Sequence, residues 1–193
     1  MLAISVFLFL IPLSKHMHLV MAVPNVFFHD AGPIARMRPL ATGDDGKAVP
    51  LEDLDIDSFG VSTYNQYSWR QLIDGWSCTS CARCQDVCPA YASGKGLNPM
   101  QVIHDVRNYA NDHAPILLSG GQPDETILER ITEEAVWACT TCNACVDVCP
   151  LYIEHVPKLT DLRRNAMMET MEYPEVLNTC LLYTSPSPRD GQI

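Results

Sequence analysis

The sequence predicts an all-α fold. Apolar residues recur at i, i+3, i+4 and i+7 in several segments, and no stretch alternates with period two for long. A third observation sets the architecture: one cysteine pattern is written twice, and the insert between the copies is long enough for two helices.

The first element is the apolar run Met1 to Leu13, which contains Leu2, Ala3, Ile4, Val6, Phe7, Leu8, Phe9, Leu10 and Ile11. It falls short of the roughly 20 residues a spanning helix needs. A signal peptide suits the length, but no Lys or Arg precedes the run and no clear A-x-A cleavage site follows. Lys15, Arg36, Arg38 and Lys47 lie after it, which by the positive-inside rule puts the rest on the cytoplasmic side. The expectation is the inner end of a truncated transmembrane helix, with Met1 an internal methionine. His16 and His18 follow, and a histidine there is either a haem ligand or an interfacial polar residue. Val20 to Phe28 stays apolar, with Pro24 and Asn25 expected to break any helix and Phe27 and Phe28 to anchor at the membrane surface. Residues 1–28 thus read as a transmembrane or interfacial segment.

Residues 29–60 read as a linker rich in Pro, Gly and Asp, broken by Gly43, Gly46 and Pro50. Its acidic run, Asp44, Asp45, Glu52, Asp53, Asp55 and Asp57, suits a solvated linker better than a docking patch. Residues 61–179 read as the main domain. Trp69, Leu72, Ile73 and Trp76 share one face of a short helix that feeds the first cysteine run. Asn98-Pro99-Met100-Gln101 predicts a helix start, and Val102, Ile103, Val106, Tyr109 and Ala110 carry its stripe to about Asp112. Pro115 and Gly120-Gly121 predict a break. Asp124 opens a further helix carrying Ile127, Leu128, Ile131 and Ala135 into Trp137, and Pro157 opens a last one with Leu159, Leu162 and Ala166 inward, ending before Pro174.

The repeated pattern is Trp76-Ser-Cys78-Thr-Ser-Cys81-Ala-Arg-Cys84-Gln-Asp-Val-Cys88-Pro89-Ala-Tyr91 and Trp137-Ala-Cys139-Thr-Thr-Cys142-Asn-Ala-Cys145-Val-Asp-Val-Cys149-Pro150-Leu-Tyr152. Each copy is C-x2-C-x2-C-x3-C-P, the bacterial iron–sulfur run, in which three thiolates hold one cubane and the fourth reaches the other. The spacing therefore assigns Cys78, Cys81, Cys84 and Cys149 to a first 4Fe-4S cluster, and Cys139, Cys142, Cys145 and Cys88 to a second. Structural zinc is the competing reading, although its sites favour two separated C-x2-C pairs. Disulfides fit less well, because matched thiol runs in a chain of this size point to metal unless the context is secreted. The two-helix insert exceeds what a compact βαβ-type ferredoxin holds, so an α-helical ferredoxin with pseudo-twofold halves is expected. Trp76, Trp137, Tyr91 and Tyr152 are expected to pack beside the clusters and exclude water, and Arg83, absent from the second copy, to raise the first cluster's potential.

A net charge of -10 over 193 residues argues against a nucleic-acid binder, which would need a basic stripe. No pattern supplies acid, base or nucleophile for converting a substrate. Read back into codons, Cys180 to Asp190 matches a transposase-type sequencing adapter, so residues 180–193 are expected to be an artefact, with a natural flexible tail as the alternative. The other eight cysteines match two clusters.

Beyond these runs, the chain resembles heterodisulfide-reductase-related iron–sulfur proteins fused to a nitrate-reductase-gamma-like membrane domain. The subgroup it resembles is the one associated with acyl-CoA dehydrogenases and electron-transfer flavoprotein. The residues that carry the match are Ser14-Lys15-x-x-His18, Pro24-Asn25-x-Phe27-Phe28, Phe59-Gly60-Val61, Trp69-Arg-Gln-Leu72, Gly94-Lys95-Gly96-Leu97-Asn98-Pro99, and Ile153-Glu-His155-Val-Pro157 through Arg163-Arg164, together with both cysteine runs. The resemblance implies a membrane domain with haem b, for which His18 is the matching ligand position, and further cysteine-rich modules downstream. It implies electron transfer between a cytoplasmic donor, such as a flavoprotein or dehydrogenase, and the membrane quinone pool, as part of a larger oxidoreductase. An iron–sulfur subunit like those of heterodisulfide reductase or anaerobic glycerol-3-phosphate dehydrogenase is the redox alternative. A non-redox zinc scaffold is the alternative from another class.

Overall fold

The computed structural model describes residues 2–10, 16–29, 31–32, 39, 59–121, 123–171 and 173–177. Among them all regular structure is helical. The acidic run of the expected linker, Lys15, and the expected artefact with Cys180 lie outside the described residues.

Helix α1 (Leu2–Leu10) has nine residues, about 14 Å at the usual rise. Among the described residues no helix is long and apolar enough to cross a membrane. Helix α2 (Met17–Phe27) corrects the reading at Pro24, because the helix runs through it. Proline removes one helical N–H, but tertiary bonds hold α2 on both sides of the gap. Asn25 is buried and donates from Nδ2 to Asp74 Oδ1 and to the Leu151 carbonyl, each at 3.0 Å. Ser77 Oγ donates to the Met21 carbonyl at 3.0 Å. The other face of α2, with Leu19, Val20, Val23 and Phe27, stays exposed.

Helix α3 (Trp69–Ser77) opens on a capping box between Ser68 and Gln71. It forms where the periodicity places it, but its most buried face is polar: Gln71, Asp74 and Ser77 lie inside while Trp69 is 58% exposed. The single turns α4 (Arg83–Asp86) and α5 (Pro89–Ala92) follow within and after the first cysteine run. Helix α6 (Pro99–Asp112) starts as predicted, with the Asn98 side chain accepting from the Met100 and Gln101 N–H groups and the Val102-to-Ala110 stripe buried. Pro115 does not simply break the chain. It sits in the first turn of α7 (Ala114–Leu118), where its missing N–H costs nothing.

The single helix expected from Asp124 is two: α8 (Ile127–Ile131), capped by Thr126, and α9 (Glu133–Ala138), capped by Thr132. Thr132, at φ 70°, makes the corner between them. After the turn α10 (Ala144–Asp147) comes α11 (His155–Asn165), which begins before Pro157 and continues as a π-helical turn over Ala166–Thr170. Val102, Val106 and Tyr109 of α6 meet Ile127, Ile131, Val136, Leu159 and Leu162 in the main core. That core fixes α6 and α11, the two long helices against which the cysteine loops lie.

Candidate metal centres

The cysteine loops repeat in backbone as well as in sequence. Ser80 and Ala82 have φ 58° and 62°, and Thr141 and Asn143, at the same places in the second run, have φ 55° and 61°. Left-handed residues alternating with right-handed ones turn successive N–H groups toward one side, making a concavity that suits anions and iron–sulfur groups. Backbone N–H groups act on the sulfurs. Thr141 donates to Cys139 Sγ at 3.4 Å, and the N–H groups of Ser80, of Gln85, and of Leu151 and Ile153 pull the Cys78, Cys84 and Cys149 thiols down, against their burial.

Each loop opens onto a small cavity. One is lined by Cys78, Cys81, Cys84 and Cys149, with Arg83 and Met100 at its wall. The other is lined by Cys88, Cys139, Cys142 and Cys145, with Leu97, Val156 and Leu159. His155 lines both and so stands between them. Thiols that surround a space fit a multi-iron group better than zinc, which needs four sulfurs about 2.3 Å from one point. Among the described residues no three His, Cys, Asp or Glu side chains converge where a single ion could be held.

Burial pushes the Cys84 and Cys145 thiols up to about 12, and neighbouring cysteines push the same way. Burial also raises Cys78, Cys139 and Cys149, opposed by the N–H donors and, at Cys78 and Cys139, by Arg107 and Arg163. Such thiols are protonated and inert until a metal takes the proton's place, since a coordinating thiol is deprotonated outright.

Behind the Cys149 wall, Lys158 Nζ meets Asp74 Oδ2 with both side chains 0% exposed. Asp74 also accepts from the Glu154 N–H at 3.3 Å, and Asn25 grips the Leu151 carbonyl. This network immobilises the strip of chain that offers Leu151 and Ile153 N–H groups to Cys149. Nothing in the sequence pattern marks Asp74, Lys158 or His104, the last of which places Nε2 3.7 Å from Cys78 Sγ. His155, which the sequence offers only as one residue of the string Ile153 to Pro157, has its imidazole pulled down to about 4 by burial and by Lys158.

The aromatic pairs correct an expectation. Trp76, Trp137, Tyr91 and Tyr152 line neither cavity, and the tyrosines are 42% and 47% exposed. Trp76 meets Tyr64 edge-on and Trp137 lies under the Arg163 guanidinium, so the tryptophans brace the outside of the loops while aliphatic residues seal the cavities. His18 sits in the first turns of α2 beside His16, ring centroids 6.4 Å apart, and belongs to neither cavity.

Residues 70–150 match a family model described as a 4Fe-4S dicluster domain. That stretch is similar to 4Fe-4S dicluster domains. The chain is 31% identical over 191 residues to an EtfAB:quinone oxidoreductase of Syntrophomonas wolfei, covering 87% of this chain and 25% of that protein. It is 32% identical to a probable membrane-anchored ferredoxin of Chromohalobacter salexigens, covering 77% of this chain and 26% of the relative. It is also 32% identical to a subunit of the ferredoxin:CoB-CoM heterodisulfide reductase of Methanosarcina mazei, covering 53% of each. The chain spans about a quarter of the length of the first two relatives. No solved structure matches it.

Proposed function

We propose that this chain is the electron-transfer segment of a larger membrane-associated oxidoreductase. It holds one 4Fe-4S cluster on Cys78, Cys81, Cys84 and Cys149 and a second on Cys139, Cys142, Cys145 and Cys88. The observation that carries the reading is that each cavity draws three cysteines from one run and its fourth from the other. The bound groups supply one-electron chemistry, with potentials that for such centres span roughly -700 to +450 mV. The chain's share is to hold the sulfurs, aim N–H donors at them and keep water out.

The donor is a soluble cytoplasmic protein such as a flavoprotein, and the acceptor is the quinone pool, reached through a haem b membrane domain to which His18 contributes a ligand. Support comes from the exposed apolar face of α2 and from relatives named as a quinone oxidoreductase and a membrane-anchored ferredoxin. A heterodisulfide-reductase-type subunit is the second reading, favoured by the relative that shares about half its length with this chain.

Anaerobically purified chain should carry iron and acid-labile sulfide for two cubanes and a brown absorption that dithionite bleaches. Cys149→Ser should strip the first centre and spare the second, and Cys88→Ser the reverse. Zinc without iron, or loss following the run in which the mutated cysteine lies, would falsify the assignment.

A further inference from the structure

Resting on the two-cluster reading, we propose that His104 is a positioning residue for the first site: its Nε2–H donates to Cys78 Sγ and thereby sets the first cluster's potential above the value its loop alone would give. Nε2 lies 3.7 Å from that sulfur and 3.0 Å from Ser80 Oγ, itself on the cysteine loop. A thiolate bound to iron only accepts, so the nitrogen facing it is the protonated one. One-electron reduction adds negative charge to the cluster and its sulfurs, and a donor fixed on one sulfur favours that state.

Among the described residues no hydrogen bond joins an imidazole to a cysteine of the second site. Arg107 on α6 packs against Gly75, three residues before Cys78, where an added Cβ would lie 3.2 Å from the Arg107 Cβ. Arg163 on α11 donates to the Val136 carbonyl, three residues before Cys139, at 2.6 Å from Nη2. With these arginines taken as counterparts, Thr160 is the residue at the spacing of His104, three before the arginine. Its hydroxyl donates to the Val156 carbonyl of its own helix at 3.0 Å. The two loops share their left-handed positions and an N–H donor to the first cysteine of each run, so His104, together with Arg83, sets the first site apart from the second.

The test is a redox titration of the iron-loaded full chain followed by EPR, with the first cluster identified as the signal Cys78→Ser alters. His104→Phe should lower the reduced-to-oxidised ratio of that cluster about tenfold at fixed potential, the size expected for losing a bond to a charged acceptor. That is a downward shift of about 59 mV for one electron. The second cluster should not move, and His104→Gln should recover part of the loss. Coupling from isotope-labelled histidine nitrogen should appear in the parent's reduced spectrum and vanish in His104→Phe. Unmoved potentials, or equal shifts in both clusters, overturn the proposal alone. A parent chain that binds no iron overturns the two-cluster reading and this proposal together. Should His104→Phe fail to load, Ser80→Ala decides, because freeing Nε2 for sulfur must raise the first potential, and an unchanged value overturns the assignment.

Discussion

Asp74 and Lys158 face each other where water does not reach, so neither can lose its partner cheaply. Removing one member of a buried ion pair costs about 3–5 kcal/mol, whereas replacing both is often close to neutral. Lys158→Met alone should therefore destabilise the chain by about that amount in denaturant unfolding. Asp74→Leu combined with Lys158→Met should be more stable than either single variant, though below the parent because Asn25 and the Glu154 N–H lose an acceptor. A double variant weaker than both singles would show that the pair attracts too little to matter. Arg83 poses the charge question at the surface of the site. It lines the first cavity and has alanine at the corresponding place in the second run. Arg83→Ala should lower the first midpoint and leave the second in place, and equal midpoints in variant and parent dispose of the idea.

At the scale of elements, capping and backbone sign decide what periodicity leaves open. Thr126 closes a capping box with Glu129, so Thr126→Ala should cost about 1 kcal/mol. Thr132 caps α9 while held at φ 70°, a strained place for a β-branched residue. Thr132→Gly should gain about 1 kcal/mol, since glycine gives up only a few tenths as a cap and relieves the strain. Gly60 and Gly94 both have positive φ, yet a Cβ on Gly60 would meet the Asp161 carbonyl at 2.3 Å, while one on Gly94 meets nothing within 4 Å. Gly60→Ala should lower the melting temperature well beyond Gly94→Ala, which bears only the backbone term of about 1–2 kcal/mol. These positions also mark what a sequence reveals. Helix α6 was readable because Asn98, Pro99 and a regular apolar stripe all agree. The Thr132 corner and the helix through Pro24 were not, because packing against α6 and the Asn25 bonds to Asp74 and Leu151 override local preference. The grouping of the cysteines around two cavities was legible from spacing, but the polar residues beside them were not: Asp74, His104 and Lys158 lie outside both runs and obey no period.

Across the whole molecule stability has two sources, which meet at the second cavity. The main apolar core joins Val106, Tyr109, Ile127, Val136 and Leu162 of α6, α8, α9 and α11, and it reaches the wall of the second cavity through Leu97 and Leu159. Between the cavities lies only a small cluster of Cys84, Cys145 and Val156, padded by Met100 and Val146. Without iron, that middle layer consists of high-pKa thiols and a neutral His155 with little apolar area to hold them, so it depends on metal as small metal domains do. The core of α6, α8 and α11 does not. Chelating the iron should thus uncouple the two: amides of residues 78–92 and 139–156 should exchange rapidly with solvent, while those of 102–110 and 159–165 keep most of their protection. Loss of circular dichroism should then be partial and confined to the short turns. Uniform exchange after iron removal would instead make the clusters the main support of the entire domain, and the hydrophobic core a consequence of their binding.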